Sequence, residues 1–219
     1  MAFTEITGSE YTGLLLKRLT GEVPELTWLK QCRHLLSPHL RAGVTVLDVG
    51  CAVGYAFNAL KDFDILYTGL DIEEEYLNLA KEYFAAAPQV QFIHYDITSP
   101  PVQHAEIVLC SAILEHCPTL MPALKNLVEM TQRILVLRTF LGEIEHLHKI
   151  PSPVQAYRTT HDKHNNQYAF KDVLGYLAQE GFHSKIYRDE YTDSLPQWVD
   201  QVVRTFYVIY AEKRPHHAD

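Results

Sequence analysis

Three aspartates stand at or next to the ends of successive apolar runs: Asp48 in Val46-Leu-Asp-Val49, Asp71 closing Tyr67-Thr-Gly-Leu-Asp71, and Asp96 closing Phe92-Ile-His-Tyr-Asp96. A carboxylate at the tip of the second run can accept both hydroxyls of a ribose. One at the tip of the third can accept from an exocyclic adenine amine. Each acid taken singly also suits a turn or a helix cap. The three together, each one strand on from the last, argue for a shared site. The first run leads straight into a tight loop, Val46-Leu-Asp-Val-Gly-Cys-Ala-Val-Gly-Tyr55, in which Gly50 and Gly54 frame Ala52. Glycines at such a corner permit positive φ and let a ligand approach the backbone. A dinucleotide fingerprint places its third glycine five residues after the first, and here that position is Tyr55, so a pyrophosphate loop fits poorly. Two further groups can move protons. Glu115-His116 follows the fourth apolar run, and His146, His148, His161 and His164 crowd a polar stretch with Glu143, Glu145 and Asp162.

These side chains need a scaffold, and the chain supplies an alternation of strand and helix patterns. Val44–Val49, Ile65–Leu70, Val90–Tyr95, Ile107–Cys110 and Ile134–Leu137 are short apolar runs of the kind that suits parallel strands covered on both faces. Helical patterns lie between them. Over Glu73 to Phe84, Tyr76, Leu79, Ala80 and Tyr83 share a face, with three glutamates in the first turn. Over Thr119 to Thr131, Leu120, Leu124, Leu127 and Val128 do the same, with Thr119 as N-cap. A third helix is expected from Phe170 to Glu180, and two more around Glu10–Leu19 and Glu25–Leu36. Phe182–Arg188 and Val202–Tyr210 read as two strands that pair antiparallel at one sheet edge. Alternating strand and helix gives a doubly wound α/β sheet.

With these motifs in place, the chain resembles the class I S-adenosylmethionine-dependent methyltransferases, above all their compact small-molecule branch, where the glycine motif often reads D-V-G-C-x-x-G-Y. The resemblance covers residues 40–140 by motif and 170–212 by topology. It implies a Rossmann-like sheet of seven strands, mostly parallel with a terminal antiparallel strand, in one domain. Residues 1–40 would form a helical cap, 41–140 the cofactor core, 141–169 a lid, and 170–212 the last helix and hairpin. The implied cofactor is S-adenosyl-L-methionine, leaving as S-adenosyl-L-homocysteine. Gly50, Cys51, Ala52 and Gly54 would pass along its methionine part, with Asp48 near the amino group. Asp71 would hold the ribose, Ile72 would pack on adenine, and Asp96 and Ile97 would bound the adenine edge. Cys110 and Ser111 would border the sulfonium, and Tyr11, with Trp28, would close over the site. Ala52 stands where many members carry glycine, and alanine is tolerable there if its φ is negative. His116, Glu115 and His146 are the candidate catalytic residues, and Arg138 is a candidate for binding an acceptor's carboxylate or phosphate, or else a surface ion pair.

Bulk properties narrow the alternatives. The 219 residues are 47% hydrophobic and 21% charged, an ordinary globular balance. The formal charge is −8, from 19 Lys+Arg against 27 Asp+Glu, the wrong sign for a non-specific nucleic-acid binder. Cys32, Cys51, Cys110 and Cys117 form no CxxC pair, and neither a secretory leader nor an 18-residue apolar run appears, so a cytoplasmic protein with reduced thiols and no membrane or nucleic-acid partner is expected. No metal is expected, because no tight ligand spacing demands one. A nicotinamide reductase would carry a Tyr-x-x-x-Lys pair, and a base-flipping methyltransferase an N/D-P-P-Y/F motif where Cys110-Ser-Ala-Ile113 stands; neither is present. The remaining alternatives are methyl transfer to an oxygen or nitrogen of a small-molecule acceptor, or non-catalytic binding of the same cofactor.

Overall fold

A computed structural model describes residues 8–150, 163–199 and 201–214, with the side chains of residues 8–11 and 163 outside that description. Two helices, α1 (Gly8–Leu19) and α2 (Thr27–Leu36), precede the sheet. Then come β1 (Thr45–Val49), α3 (Tyr55–Leu60), β2 (Leu66–Asp71), α4 (Glu74–Tyr83), β3 (Val90–His94), β4 (Ala105–Ser111), α5 (Leu120–Met130) and β5 (Thr131–Gly142). Three two-residue strands follow, β6 (Lys149–Ile150), β7 (Lys163–His164) and β8 (Tyr168–Ala169). The chain closes with α6 (Phe170–Gln179), β9 (Phe182–Arg188), a hairpin of β10 (Gln197–Val199) and β11 (Val202–Arg204), and β12 (Phe206–Lys213).

Seven strands run in the order β3-β2-β1-β4-β5-β12-β9, and β8 adds to the end of β5. The first five are mutually parallel, and β12 lies antiparallel to both of its neighbours. The order reverses between β1 and β4, and in open α/β sheets the ligand crevice opens at the carboxyl ends of the strands flanking such a reversal. Alternation along the strands divides the core into two layers. Leu47, Val49, Val108, Leu135 and Leu137 pack with α5 and α6, while Val46, Tyr67, Ile107, Leu109 and Val136 pack with α2 and α3.

The sequence places the elements well and misjudges some faces. On α4 the residues sunk into the sheet layer are Leu77 and Ala80. Tyr76 and Leu79 instead meet Leu15 and Leu19 of α1, and the Tyr83 hydroxyl donates to the Leu19 carbonyl, because a second helix lies outside α4. Thr119 has the extended N-cap conformation but makes no side-chain capping bond. The single strand expected over Val202 to Tyr210 is two, broken at Thr205, since β11 pairs with β10 while β12 enters the main sheet. No helix among the described residues is long and apolar enough to cross a membrane.

Candidate functional site

The loop after β1 is folded by its own backbone and by Asp71. Gly50 N–H and Cys51 N–H both donate to the Leu70 carbonyl, at 2.7 and 3.0 Å, which ties the loop to the end of β2. Gly50 has φ 81° and Gly54 φ 85°, and a Cβ on Gly50 would lie 2.1 Å from Ile113 Cδ1, so both conformation and space require glycine there. Ala52 also lies in the left-handed region, at φ 47°, which corrects the expectation of a negative φ. The Asp71 carboxylate offsets that strain: its Oδ2 accepts the Ala52 N–H at 2.8 Å, and its Oδ1 accepts the Glu73 N–H at 2.9 Å. Burial pushes Asp71 above the usual carboxylate range, opposed by these N–H groups and by His94. Each oxygen retains a lone pair, so the group can still accept from a diol.

The other two acids differ in setting. Asp48 is 4% exposed, under the glycine loop on the α2–α3 side, and its Oδ2 accepts the Tyr67 hydroxyl at 2.7 Å. Burial raises its pKa to about 7, against the Tyr67 bond, with a smaller push from Asp71. Asp96 lies just past the end of β3 and is half-buried. Its Oδ1 takes both the N–H and the hydroxyl of Thr98 at 2.8 Å, so Oδ2 is the oxygen left for a ligand. Ile72 is half-buried beside Asp71, whereas Ile97, Cys51 and Cys110 are buried.

Opposite the glycine loop, the chain leaves β4 through Ser111, Ala112 and Ile113, all half-buried. Ala112 has φ 56°, and its N–H is held by the Arg138 carbonyl at 2.8 Å. Two alanines in left-handed backbone thus flank the switch point, a placement of strain typical of ligand sites. Alanine carries no sequence signal for this, so Ala112 and Ile113 were missed.

A 3₁₀ turn over Leu114–His116 then separates the proton-transfer candidates. Glu115 is buried, its Oε2 accepting the Thr139 hydroxyl at 2.8 Å, and burial raises its pKa. It braces the turn and does not face solvent. His116 points outward, with Nδ1 2.9 Å from the His164 carbonyl oxygen. A carbonyl only accepts, so Nδ1 carries the proton and Nε2 of the neutral ring is left as an acceptor. The turn is buttressed from below. The Tyr168 hydroxyl donates toward the Leu114 and Cys117 carbonyls, Asn166 Nδ2 donates to the Cys117 carbonyl, and Asn166 N–H donates to the Glu115 carbonyl.

The histidine-rich stretch pairs with itself: His146 and Gln167 exchange backbone bonds, and β6 lies antiparallel to β7. His146 is exposed. Tyr157, His161 and Asp162 lie outside the described residues, as does the side chain of Tyr11 on α1. Among the described residues no group of three or more His, Cys, Asp or Glu is arranged to hold a metal ion. Arg138 is neither a surface ion pair nor open to an acceptor. It is buried, bound by Nε and Nη2 to the two oxygens of Asp189 at 2.8 and 3.1 Å, with its guanidinium 3.8 Å from the Phe206 ring centroid and also over Trp28 and Tyr191.

Residues 46–135 match the model of a methyltransferase domain family. Over 89 residues the chain is 34% identical to a ubiquinone biosynthesis O-methyltransferase of Coxiella burnetii, an overlap covering 38% of this chain and 37% of that protein. The chain thus aligns with little more than a third of the length of the curated relatives it matches. Among solved structures, a TehB-like S-adenosylmethionine-dependent methyltransferase of Corynebacterium glutamicum superposes with a TM-score of 0.62 at 15% identity, covering 94% of this chain and 98% of that one. A magnesium protoporphyrin IX methyltransferase of Synechocystis, with S-adenosylhomocysteine bound, gives 0.59 at 20% identity over 86% of this chain and 83% of that one. The fold is that of the class I S-adenosylmethionine-dependent methyltransferases, and the match to the methyltransferase domain family falls on residues 46–135.

Proposed function

From a methyltransferase domain whose glycine loop and strand-end acids meet at the switch point, we propose that this chain transfers a methyl group from S-adenosylmethionine to a small-molecule acceptor, at oxygen in preference to nitrogen. The carrying observation is that the left-handed glycine loop, the Asp71 carboxylate gripping it and Asp96 with its open Oδ2 stand at or just past the carboxyl ends of three adjacent parallel strands, β1, β2 and β3. These groups suit a nucleoside: Asp71 retains lone pairs for the ribose diol, Asp96 Oδ2 can accept an amine, and Ile72 offers an apolar side chain between them. Gly50, Ala52 and Ser111–Ile113 would line the way toward the methionine end, while Asp48 is buried and bound to the Tyr67 hydroxyl. When bound, the cofactor supplies an electrophilic methyl on a sulfonium sulfur.

Alignment of donor and acceptor by such a pocket can contribute on the order of 7–11 kcal/mol. An oxygen acceptor with a pKa near ~10, as for a phenol, must also lose its proton. His116 Nε2 is the lone pair available for that, in the tautomer fixed by the His164 carbonyl. A general base of this kind is worth roughly 10²–10⁴-fold. The name of the C. burnetii relative supports oxygen as the accepting atom. Calorimetry with S-adenosylhomocysteine tests the proposal: folded protein should bind it, and Asp71→Asn should weaken the complex about tenfold, the equivalent of one charge-assisted hydrogen bond. Failure of folded wild-type protein to bind at millimolar ligand refutes it.

A further inference from the structure

We infer that Arg204 is a receptor for a carboxylate on the acceptor molecule; this rests on the reading above that an acceptor sits at the edge beside His116. Arg204 ends β11 and is 7% exposed. The next residue fixes its place, because the Thr205 carbonyl accepts the Leu141 N–H at 3.1 Å beside the end of β5. Its Nε donates to the Asn165 carbonyl at 3.1 Å and its Nη1 to the Val203 carbonyl at 2.9 Å. Asn165 directly follows His164, whose own carbonyl holds His116 Nδ1. The guanidinium is therefore joined through one short stretch of backbone to the proposed base.

The two buried arginines at this end of the sheet are treated differently. Arg138 has Asp189 bound in a two-pronged pair. Arg204 has no carboxylate partner among the described residues, and burial holds its pKa below the ordinary arginine value with no opposing acid. A buried charge is normally paired. Of the five guanidinium N–H groups, two meet carbonyls, which leaves one on Nη1 and both on Nη2. Those two nitrogens form the end-on fork that matches the two oxygens of a carboxylate. A second unmet polar atom lies in the same stretch: His164 Nδ1 is shielded from solvent and makes no hydrogen bond among the described residues. In a chain of net charge −8, an unpaired buried cation beside the base selects for an anionic acceptor that repulsion would otherwise keep out.

The test uses benzoate as the planar carboxylate and benzamide as its neutral counterpart, titrated into the full chain with and without S-adenosylhomocysteine. The Arg204 Nε–H resonance, assigned by its loss in Arg204→Lys, should shift with benzoate and stay in place with benzamide. Arg204→Gln should raise the benzoate Kd at least tenfold while the S-adenosylhomocysteine Kd stays within twofold. A resonance unmoved by benzoate, or an unchanged benzoate Kd in Arg204→Gln, overturns the assignment and leaves Arg204 a structural donor to carbonyls. A shift caused by S-adenosylhomocysteine alone also overturns it, because the cation would then serve the cofactor's carboxylate. Should wild-type protein bind no S-adenosylhomocysteine, the methyltransferase reading fails, while the benzoate titration of the free chain still decides the anion site. If Arg204→Gln does not fold, the wild-type resonance decides alone.

Discussion

Replacing Asp48 with asparagine removes a titratable group from beneath the glycine loop and keeps an oxygen that can accept from the Tyr67 hydroxyl. In the folded chain Asp48 titrates at about 7, against 3.8 in the absence of the fold, because burial disfavours its charged form. The native state therefore holds the proton more tightly than the unfolded state does. The stability linked to this proton is complete below the unfolded value and is lost as pH rises through the folded one. At ~1.4 kcal/mol per pKa unit, the loss between about pH 4.5 and 8 comes to about 3 kcal/mol. Asp71 and Glu115 are also raised by burial and lose stability in the same direction as pH rises, whereas Asp189 is held below its ordinary value, where Arg138 and Thr192 outweigh burial, so its contribution is lost only on acidification below this range. The informative quantity is thus the difference between wild type and Asp48→Asn, measured by urea unfolding at each pH. The variant should gain on wild type by about 3 kcal/mol from acid to alkaline pH, equivalent to roughly 6–12 °C in Tm for a domain of this size. A constant offset from the unmet amide donor does not affect this slope. Parallel curves, within ~0.5 kcal/mol across the range, would show that Asp48 is solvated and refute the reasoning.

Asp189→Ala should destabilise the fold by about 3–5 kcal/mol, since it strands the Arg138 charge among Trp28, Tyr191 and Phe206, and an Arg138→Met/Asp189→Leu pair should recover most of that loss in the same urea assay. Gly50→Ala must adopt φ 81° and displace Ile113, so it should cost about 1–3 kcal/mol in thermal unfolding and weaken S-adenosylhomocysteine binding; an affinity equal to wild type would place the ligand away from the loop. His116→Gln should lower kcat for a hydroxyl acceptor by roughly 10²–10⁴ with the S-adenosylhomocysteine Kd unchanged, read as labelled-methyl transfer across a panel of phenols; unaltered turnover would remove His116 from the reaction.

Local pattern determined much of this protein. Apolar runs of strand length, interrupted by amphipathic helices, are enough to specify a doubly wound sheet, and the acids at the run ends pick out the edge proposed here for the cofactor, because both signals depend only on near neighbours in sequence. Glycine at 50 and 54 was equally legible, since few other residues tolerate a positive φ. What the sequence left open depends on contacts between distant segments. Whether Glu115 or His116 faces solvent was decided by Thr139 and His164, 24 and 48 residues away. Arg138 looked like a surface cation until Asp189, 51 residues on, was seen to bury it, and Arg204 carried no signal until its neighbours were known to be carbonyls. The split of Val202–Tyr210 and the rotated face of α4 have the same origin, in the choice of partner on the far side of an element. A side chain's pattern says which medium it favours; which charge, donor or ring it meets there is fixed only when the chain closes on itself.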